Sequence, residues 1–342
     1  KDLNIQPGLT YSLINLNNNF TSAASIRQQF NFVFPYLNIR YKVASLGYSA
    51  YLSEPGTQYI QPVINNTDPL FIQNGNPNLR PTENHNFNLN IYKYDTKRAL
   101  NYQIYSNLTI RDNAIITSRI IGANGVQTTT PVNVDGTWNA NGSGNITKEF
   151  KNAKRQISVT GGFNFSFTKN LLLVNNVESE MDRFGFTPRG GIRLNLNDKF
   201  EFNQTYSITF NNSRYSDTFF KDQNFTSQST ETELILRYPK KVVFETNYRM
   251  QVNQQDVVGY NNNIRLWNAG VTYLFMKNDR AQLKFSVNDI LEAGVRRFVT
   301  INENYIRDTQ SNNIGRYFLM TLTYNIQNFG GKVGGKERFF GF

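Results

Sequence analysis

His85 is the only histidine among the 342 residues, and the chain has no cysteine. A functional histidine would act as a catalytic base or as a metal ligand, because imidazole titrates near neutral pH. Serine catalysis would pair it with a serine and an acid, but no serine here lies in the glycine pattern of a nucleophile elbow. We therefore expect no enzyme activity. His85 is expected to be a polar residue that faces a lumen or a loop, where a strand through Phe87 begins.

Metal and cofactor sites are also expected to be absent. The lack of Cys excludes disulfides, iron–sulfur clusters and zinc–thiolate sites. Only an all-oxygen metal site remains open, with Glu303 and Asp308 as candidates, but their segment lacks the spacing of a calcium-binding loop. No glycine-rich loop leads from a strand into a helix, so nucleotide binding is not predicted. The ligand-binding residues stay unknown, although aromatics such as Tyr59 lie in a long loop.

Alternation of apolar and polar residues with a period of two indicates the elements that carry these side chains. Between 200 and 211 one parity is mainly apolar, with Phe200, Phe202, Gln204, Tyr206, Ile208 and Phe210. The other parity is polar, with Glu201, Asn203, Thr205, Ser207, Thr209 and Asn211. The same pattern recurs at 242–253, where Val242, Phe244, Tyr248 and Met250 share the apolar parity. Each strand therefore has one apolar face and one polar face.

This alternation predicts about 14 strands, many of them 12 residues or longer, whereas strands of soluble proteins average about five or six residues. They lie near 5–15, 30–40, 44–52, 84–95, 98–118, 136–150, 155–170, 183–196, 199–214, 226–238, 241–255, 263–276, 280–290 and 314–326. Short charged turns alternate with longer polar loops near 16–29, 53–83, 119–135, 171–182, 215–225, 256–262 and 291–313. Sorting of loops by length is typical of an outer-membrane barrel, with short periplasmic turns and long outside loops, and a Greek-key sandwich gives no reason for it.

We therefore predict an all-β, transmembrane, antiparallel up-and-down β-barrel over residues 1–329, in the outer membrane of a Gram-negative bacterium. Residues 330–342 are predicted to form a flexible tail rich in Gly and Lys. The net charge of +11 is spread over turns and strand ends. Lys and Arg in such places reach lipid head groups and anionic lipopolysaccharide, so nucleic acid is not an expected partner.

Residues 75–81 read Gly75-Asn76-Pro77-Asn78-Leu79-Arg80-Pro81 and are followed by Thr82-Glu83. This run resembles the GNPNL(K/R)PE segment that precedes a mid-barrel strand in TonB-dependent receptors, although Thr82 stands before the expected Glu. Residues 285–291 and 315–324 resemble the last two strands of the same family. The Asn-rich style, with about one Asn in every seven residues, is most similar to the barrel-only family of Bacteroidota receptors.

The resemblance implies a barrel of 22 strands, an N-terminal plug, an inner-membrane energy-coupling protein and, as a further possible partner, a surface lipoprotein. No segment here reads as a plug, so we expect these residues to be the C-terminal part of a larger receptor. A complete 14-stranded barrel is the alternative. Three functions stay open: an energy-coupled uptake receptor, a passive pore, and a structural or docking barrel within a larger complex.

Overall fold

The structure is a computed structural model that describes residues 2–20, 25–218, 220–255, 262–293, 295–301, 306–312 and 315–325. These residues are almost entirely β-strand, and the main sheet is antiparallel, as the alternation predicts. The helical elements among them are one turn at Thr57–Ile60 (α1) and a 3-10 turn at Lys277–Asp279. No helix in the described ranges is long and apolar enough to cross a lipid bilayer. The predicted tail at 330–342 lies outside the described residues.

The strands are, in chain order, β1 (Leu3–Asn18), β2 (Ile26–Tyr41), β3 (Ala44–Ser53), β4 (Asn65–Asp68), β5 (Phe71–Gln73), β6 (Thr82–Asp95), β7 (Leu100–Asp112), β8 (Ala114–Ile121), β9 (Gln127–Val134), β10 (Thr137–Lys151), β11 (Arg155–Val174), β12 (Val177–Leu196), β13 (Phe200–Tyr215), β14 (Gln223–Arg237), β15 (Val242–Gln255), β16 (Asn262–Phe275), β17 (Ala281–Asn288), β18 (Val295–Ile301), β19 (Ile306–Asn312) and β20 (Tyr317–Tyr324).

Fourteen of these strands form one continuous antiparallel series, which agrees with the predicted number. Their order is β1, β2, β3, β6, β7, β10, β11, β12, β13, β14, β15, β16, β17 and β20. Within the described residues β1 pairs only with β2, and β20 pairs only with β17. The pairing of β20 with 10–13 that a complete 14-stranded barrel requires is therefore not made there.

The cross-strand register keeps every apolar parity on the same side of the sheet. On β11 the apolar face runs from Ile157 to Phe167 and is followed by Lys169; on β12 it runs from Phe184 to Leu194. Each run covers about 11 residues, which is the length a tilted strand needs to cross a bilayer. Many of the aromatic and aliphatic side chains on this face are exposed, as at Ile146 and Phe244. The other side, here called the polar face, carries the hydroxyl, amide and charged residues.

The apolar face has a polar interruption on β14, where four successive positions of that parity are Thr226, Gln228, Thr230 and Thr232. Gln228, Thr230 and Thr232 hydrogen-bond to side chains of β13. Gln204 of β13 donates from Nε2 to Oγ1 of Thr230 at 2.7 Å and accepts from Oγ1 of Thr232 at 2.5 Å. Internal hydrogen bonds of this kind lower the cost of placing polar side chains on a lipid-facing wall.

Glycines on β10 make room for aromatic rings from β11. A Cβ at Gly142 would lie 2.6 Å from the Phe165 ring and 2.7 Å from the carbonyl oxygen of Tyr105. A Cβ at Gly144 would lie 2.5 Å from the ring of Phe163. The rings therefore lie flat across the glycines of the neighbouring strand and cover backbone that would otherwise be bare, a packing known to support strands that contain glycine.

The structure corrects three predictions made from the sequence, all at the loop end of the sheet. The predicted single strand at 98–118 is broken at Asn113, whose φ is 53°, into β7 and β8. The predicted loop at 119–135 contains β9, which forms a hairpin with β8. The predicted long loop at 171–182 is a two-residue turn at Asn175-Asn176, with φ of 51° and 62°, between 20-residue strands.

Alternation is lost in both segments, because a strand that projects beyond a membrane needs no single apolar face. Residues 171–174 are uniformly apolar, whereas β9 is mainly polar. Two other predicted long loops also contain short strands. The loop at 53–83 holds β4 and β5, and the loop at 291–313 holds the β18–β19 hairpin, which is a separate sheet of two strands.

Candidate functional site

The polar face of the long middle strands is the candidate functional site. It carries the hydroxyl, amide and charged side chains that can bind a solute, and the apolar face does not. Two cavities open on it. The lower cavity, of about 660 Å³, is formed by β10 to β14. It is lined by Asn145, Thr147, Glu149, Ser158, Thr160, Arg189, Gly190, Gly191, Ile192, Arg193, Asn203, Thr205, Tyr206, Ser207, Ser229 and Glu231. Hydroxyl, amide and guanidinium groups therefore dominate its wall.

Arg189 spans three neighbouring strands at this cavity. Its Nε donates to Oδ1 of Asn145 at 3.2 Å, and its Nη2 hydrogen-bonds the same oxygen. The side chain crosses β11 above Gly162, where a Cβ would lie 3.2 Å from Nε of Arg189 and 2.5 Å from Oδ1 of Asn145. The missing side chain at Gly162 therefore leaves the space in which arginine and amide meet.

Arg189 belongs to a column of three arginines on the polar face of β12, with Arg183 towards the loop end and Arg193 towards the turn end. Arg183 donates from Nε to Oγ of Ser213 at 3.3 Å, and Arg193 is exposed. Within the described part of the chain, none of the three forms an ion pair with a carboxylate. Their partners are neutral groups only, and a guanidinium stays charged at all physiological pH values.

Charges on the neighbouring half of the polar face are arranged differently, because each of three cations there meets a carboxylate. Arg237 lies 2.6 Å from Oε1 of Glu201, and Arg249 lies 2.7 Å from Oε1 of Glu231. Lys284 pairs with Glu245, which is almost completely buried. Amides complete the network, since Asn247 donates to Glu231 at 3.1 Å. These three cations are therefore neutralised, whereas the arginines of β12 are not. A fourth acid of this half, Glu233, accepts a hydrogen bond from Asn203 at 3.0 Å.

The upper cavity, of about 730 Å³, lies between the polar face and the inturned strand β8, near the loop end. Strand β8 is held there by parallel pairing with β11 at Leu173 and Val174. The lining is Ser53, Thr82, Asn84, Arg111, Ala114, Ile115, Ile116, Thr117, Arg119, Thr137, Asn139, Ala140, Asn141, Ser166, Thr168, Asn170, Leu171, Leu172, Leu173 and Val174. It contains two arginines and no carboxylate.

The segment 75–81 ties the loop between β3 and β6 to its neighbours. Nδ2 of Asn76 donates to the carbonyl oxygen of Pro131 at 3.0 Å, and Nε2 of Gln28 donates to that of Pro77 at 2.8 Å. Asn133 makes two hydrogen bonds with the backbone of Arg80, at 2.8 and 3.0 Å.

Burial and close backbone packing complete this attachment. Leu79 has no exposed surface. At Gly75 a Cβ would lie only 1.9 Å from the carbonyl oxygen of Gln61, so a glycine is required there. The segment 75–81 is thus an anchor for the loop, and none of these contacts resembles a ligand site.

His85 lies on the apolar parity of β6, with Phe87. The prediction that its side chain faces the lumen or a loop is therefore wrong, because the side chain lies on the apolar side of the sheet. Its ring is stacked on Tyr48, whose hydroxyl lies 3.0 Å from Nδ1, and Nε2 lies 3.6 Å from Oδ2 of Asp112. Charged residues of the same parity flank it towards the loop end, including Glu83. The strand continues two residues further into the loop region than expected, which places the polar ring at the edge of the apolar wall.

The other candidate residues add no site. Among the described residues no group of His, Asp and Glu is arranged to hold a metal ion. Glu303 lies outside the described residues, and the side chain of Asp308 is not described either. Tyr59 is exposed on the loop at 53–83, and its carbonyl oxygen accepts from the backbone of Asn76 at 2.6 Å.

Sequence reasoning missed the arginine column, although its signal is present. Arg183, Arg189 and Arg193 share one parity of the predicted strand at 183–196, and no acid occupies that parity between them. Glu201 and Glu231 pair with Arg237 and Arg249, and Glu233 accepts a hydrogen bond from Asn203. Only the register shows that the column makes no ion pair within the described residues.

Comparisons with known proteins cover nearly the whole chain. The model of the outer membrane protein beta-barrel family matches residues 1–211 and 189–324. No curated protein matches the sequence. Among solved structures, one of the toluene transporter TodX of Pseudomonas putida is 10% identical, with a TM-score of 0.28, and the alignment covers 96% of this chain and 90% of that chain. A second TodX structure is 9% identical, with a TM-score of 0.26 and coverage of 84% and 82%.

The family match spans nearly all of the fourteen-strand series. A barrel of the outer membrane has one apolar and one polar face, as this series does. In a bilayer the backbone of each strand must be paired and the outward side chains must be mainly apolar, which the apolar face satisfies. The polar face is then the luminal face. This chain belongs to the outer membrane protein beta-barrel family, and its place is the outer membrane of a Gram-negative bacterium.

Proposed function

We propose that this chain is the barrel of an outer-membrane receptor that takes up a solute with energy coupled from the inner membrane. The observation that carries the proposal is the segment 75–81, which resembles a motif of TonB-dependent receptors in sequence and serves here as a built anchor. Its Leu79 is fully buried, and its backbone is held by Asn133 and Gln28. An anchor of this kind holds a long outside loop in place beside the lumen, where a receptor must capture its solute.

The partners in this proposal follow from the same resemblance. They are further barrel strands that complete a 22-stranded wall, a plug inside it, an inner-membrane energy-coupling protein, and a surface lipoprotein. Lipids and lipopolysaccharide surround the apolar face. Further strands would also pair the edges of β1 and β20, since each unpaired backbone group in hydrocarbon costs several kcal/mol. The proposal assigns the chain no enzyme activity, no cofactor and no nucleic-acid partner.

Cross-linking in cells that make the intact protein tests the coupling. The tagged protein is cross-linked with formaldehyde, purified from the outer membrane and identified with its partners by mass spectrometry. We expect an inner-membrane energy-coupling protein among the products, and loss of that product when the inner-membrane proton gradient is collapsed beforehand. Recovery of outer-membrane partners alone, in both conditions, would contradict energy coupling and favour a structural subunit.

A passive pore is the other function to separate. The isolated chain of 342 residues is refolded and added to planar lipid bilayers. A receptor barrel whose lumen requires other segments gives no stable channel under these conditions. Conductance steps of one reproducible size would support a complete passive pore instead.

A further inference from the structure

We infer that the luminal wall along β12 binds an anionic solute, carrying carboxylate or phosphate groups, through Arg183, Arg189 and Arg193. This inference names the solute class for the proposed uptake function and rests on that function for the direction of transport. The binding itself depends only on the three arginines and their surroundings.

The first argument is the difference between the two halves of the luminal face. Arg237, Arg249 and Lys284 are each neutralised by a carboxylate, at distances such as 2.6 and 2.7 Å for the two arginines. Arg183 and Arg189 meet only neutral oxygen or sulfur atoms within the described residues, for example Oγ of Ser213 and Oδ1 of Asn145, and Arg193 is exposed. Uncompensated charge of one sign inside a barrel sets its ion preference, and arginines favour anions.

The second argument is the geometry of the column. The arginines occupy positions 183, 189 and 193 on one face of a single strand, so the column is about 33 Å long at 3.3 Å per residue. It joins the two cavities. Thr168, which pairs with Arg183 across the β11–β12 ladder, lines the upper cavity. Arg189 and Arg193 line the lower cavity. An anion that enters from the loop end therefore meets a guanidinium at each stage.

The third argument is the chemistry of the flanking strands. The luminal positions of β11 beside the column are Ser158, Thr160, Gly162, Asn164, Ser166 and Thr168. On the other side β13 offers Asn203, Thr205, Ser207 and Thr209. Hydroxyl and amide groups donate hydrogen bonds to oxyanions without adding competing charge, and guanidinium groups bind carboxylate or phosphate through two parallel hydrogen bonds.

Two carboxylates also line the lower cavity. Glu231 is already engaged by Arg249 and Asn247. Glu149 lies on β10 opposite Ser158, and Glu233 lies on β14 opposite Asn203. Ser158 and Asn203 are the two cross-strand neighbours of Arg193, and Glu233 accepts a hydrogen bond from Nδ2 of Asn203 at 3.0 Å. We expect Glu149 to weaken anion binding at the turn end, and its removal to strengthen that binding.

The test measures binding of two probes to the intact protein, purified from the outer membrane into detergent micelles, by isothermal titration calorimetry and by NMR of the arginine Nε–Hε groups. The probes are inorganic phosphate and succinate, with maltose as an uncharged comparison. We expect saturable binding of at least one anion, with shifts at Arg189 and Arg193, and no binding of maltose. Phosphate without succinate, or the reverse, then identifies the oxyanion chemistry.

Matched variants separate the site from net charge. R183Q/R189Q/R193Q should weaken anion binding at least tenfold. K97Q/K240Q/K241Q removes the same three charges from turns outside the lumen and should change it less than twofold. E149Q should tighten it about two- to threefold. Far-ultraviolet circular dichroism is used to choose variants with the wild-type strand content, and single substitutions replace the triple variant if it cannot be purified in folded form.

The inference is overturned if the wild-type chain binds neither anion saturably, or if the arginine variants bind as tightly as wild type. It is equally overturned if the turn-lysine variant loses binding to the same extent. Anion binding by a protein that shows no energy-coupling partner in cells would leave this site in place and remove the proposed function alone.

Discussion

Nζ of Lys169 lies 2.8 Å from Oε1 of Glu180 on the apolar side of the sheet, one position of that parity beyond Phe167. The hydrogen bond and the charge of Glu180 raise the pKa of the Lys169 ammonium group above its ordinary value. Since the pKa is raised, the contribution of the Lys169 charge to the stability of the folded protein is fully present at neutral pH and is lost as the pH rises through the raised pKa. The exposed pair marks the level at which the outer wall leaves lipid and enters water.

Ile146 and Thr147 provide the sharpest test of which face meets lipid, because they are neighbours near the middle of β10 with opposite directions. Ile146→Arg should destabilise the folded protein by about 2–4 kcal/mol in lipid vesicles, whereas Thr147→Arg should have a small effect. Phe244→Arg, close to the first residue of β15, should cost less than Ile146→Arg because the penalty falls towards the interface. Guanidinium titration in vesicles measures all three, and equal losses at 146 and 147 would contradict the assigned orientation.

Trp138 and Trp267, the two tryptophans of the chain, provide an independent measure of the same orientation. Both lie on the apolar parity towards the loop end of their strands. Their fluorescence should be quenched by lipids brominated on the acyl chain, more strongly with bromine near the head group than near the bilayer centre. Single Trp→Phe variants separate the two signals. Strong quenching by a water-soluble quencher, with none by brominated lipid, would show that these residues face the lumen.

Gly142 and Gly161 differ in what a methyl group would meet, so they make a matched pair. Gly142→Ala places Cβ 2.7 Å from the Tyr105 carbonyl oxygen and 2.6 Å from the Phe165 ring, and should destabilise by about 1–3 kcal/mol. Gly161→Ala meets nothing closer than Ile146 at 3.7 Å and should be neutral or slightly stabilising. Unfolding midpoints in vesicles measure both. A tolerated Gly142→Ala would show that the rings do not lie on the glycines.

The hydrogen bonds of Gln204 with Thr230 and Thr232 predict non-additive effects. Replacing both threonines by valine leaves a lipid-facing amide without these partners and should cost about 1–3 kcal/mol. Adding Gln204→Leu to that double variant should recover most of the loss, because an apolar group then replaces the whole network. The comparison uses unfolding free energies of the single, double and triple variants. Equal stability of the double variant and wild type would show that these hydrogen bonds do not stabilise the folded protein.

The anchor at 75–81 predicts that alanine substitutions at two glycines of one loop have very different effects on the attachment of that loop. Gly75→Ala would force Cβ to within 1.9 Å of the Gln61 carbonyl oxygen, and the loop should detach from β9. Gly56→Ala meets only the end of the flexible Gln58 side chain and should be tolerated. Limited proteolysis of the loop at 53–83 should accelerate at least tenfold for Gly75→Ala and stay unchanged for Gly56→Ala. Equal protection of both variants would show that the anchor does not hold the loop.

Alternation was enough to predict the fold class, the two faces and the fourteen strands of the main series, because a wall between lipid and water imposes a period of two on every strand that crosses it. Ile157 to Phe167 and their polar neighbours illustrate this, since the alternation alone assigns each residue to its face. Outside the bilayer this constraint ends. That is why the strand ends at 171–174 and the strand β9 were predicted as loops.

Tertiary structure decided the relationships that depend on register between strands. The sequence shows Glu201, Glu231 and Glu245 beside several cations, but only the pairing assigns each acid to Arg237, Arg249 or Lys284. Within the described residues the three arginines of β12 form no ion pair, and this too follows from the register and not from their own residue types. The same holds for Gly162, which makes room for Arg189 only because β10, β11 and β12 are neighbours in this register. Alternation fixes the direction of a side chain, whereas its partner depends on how far each strand is shifted along the next.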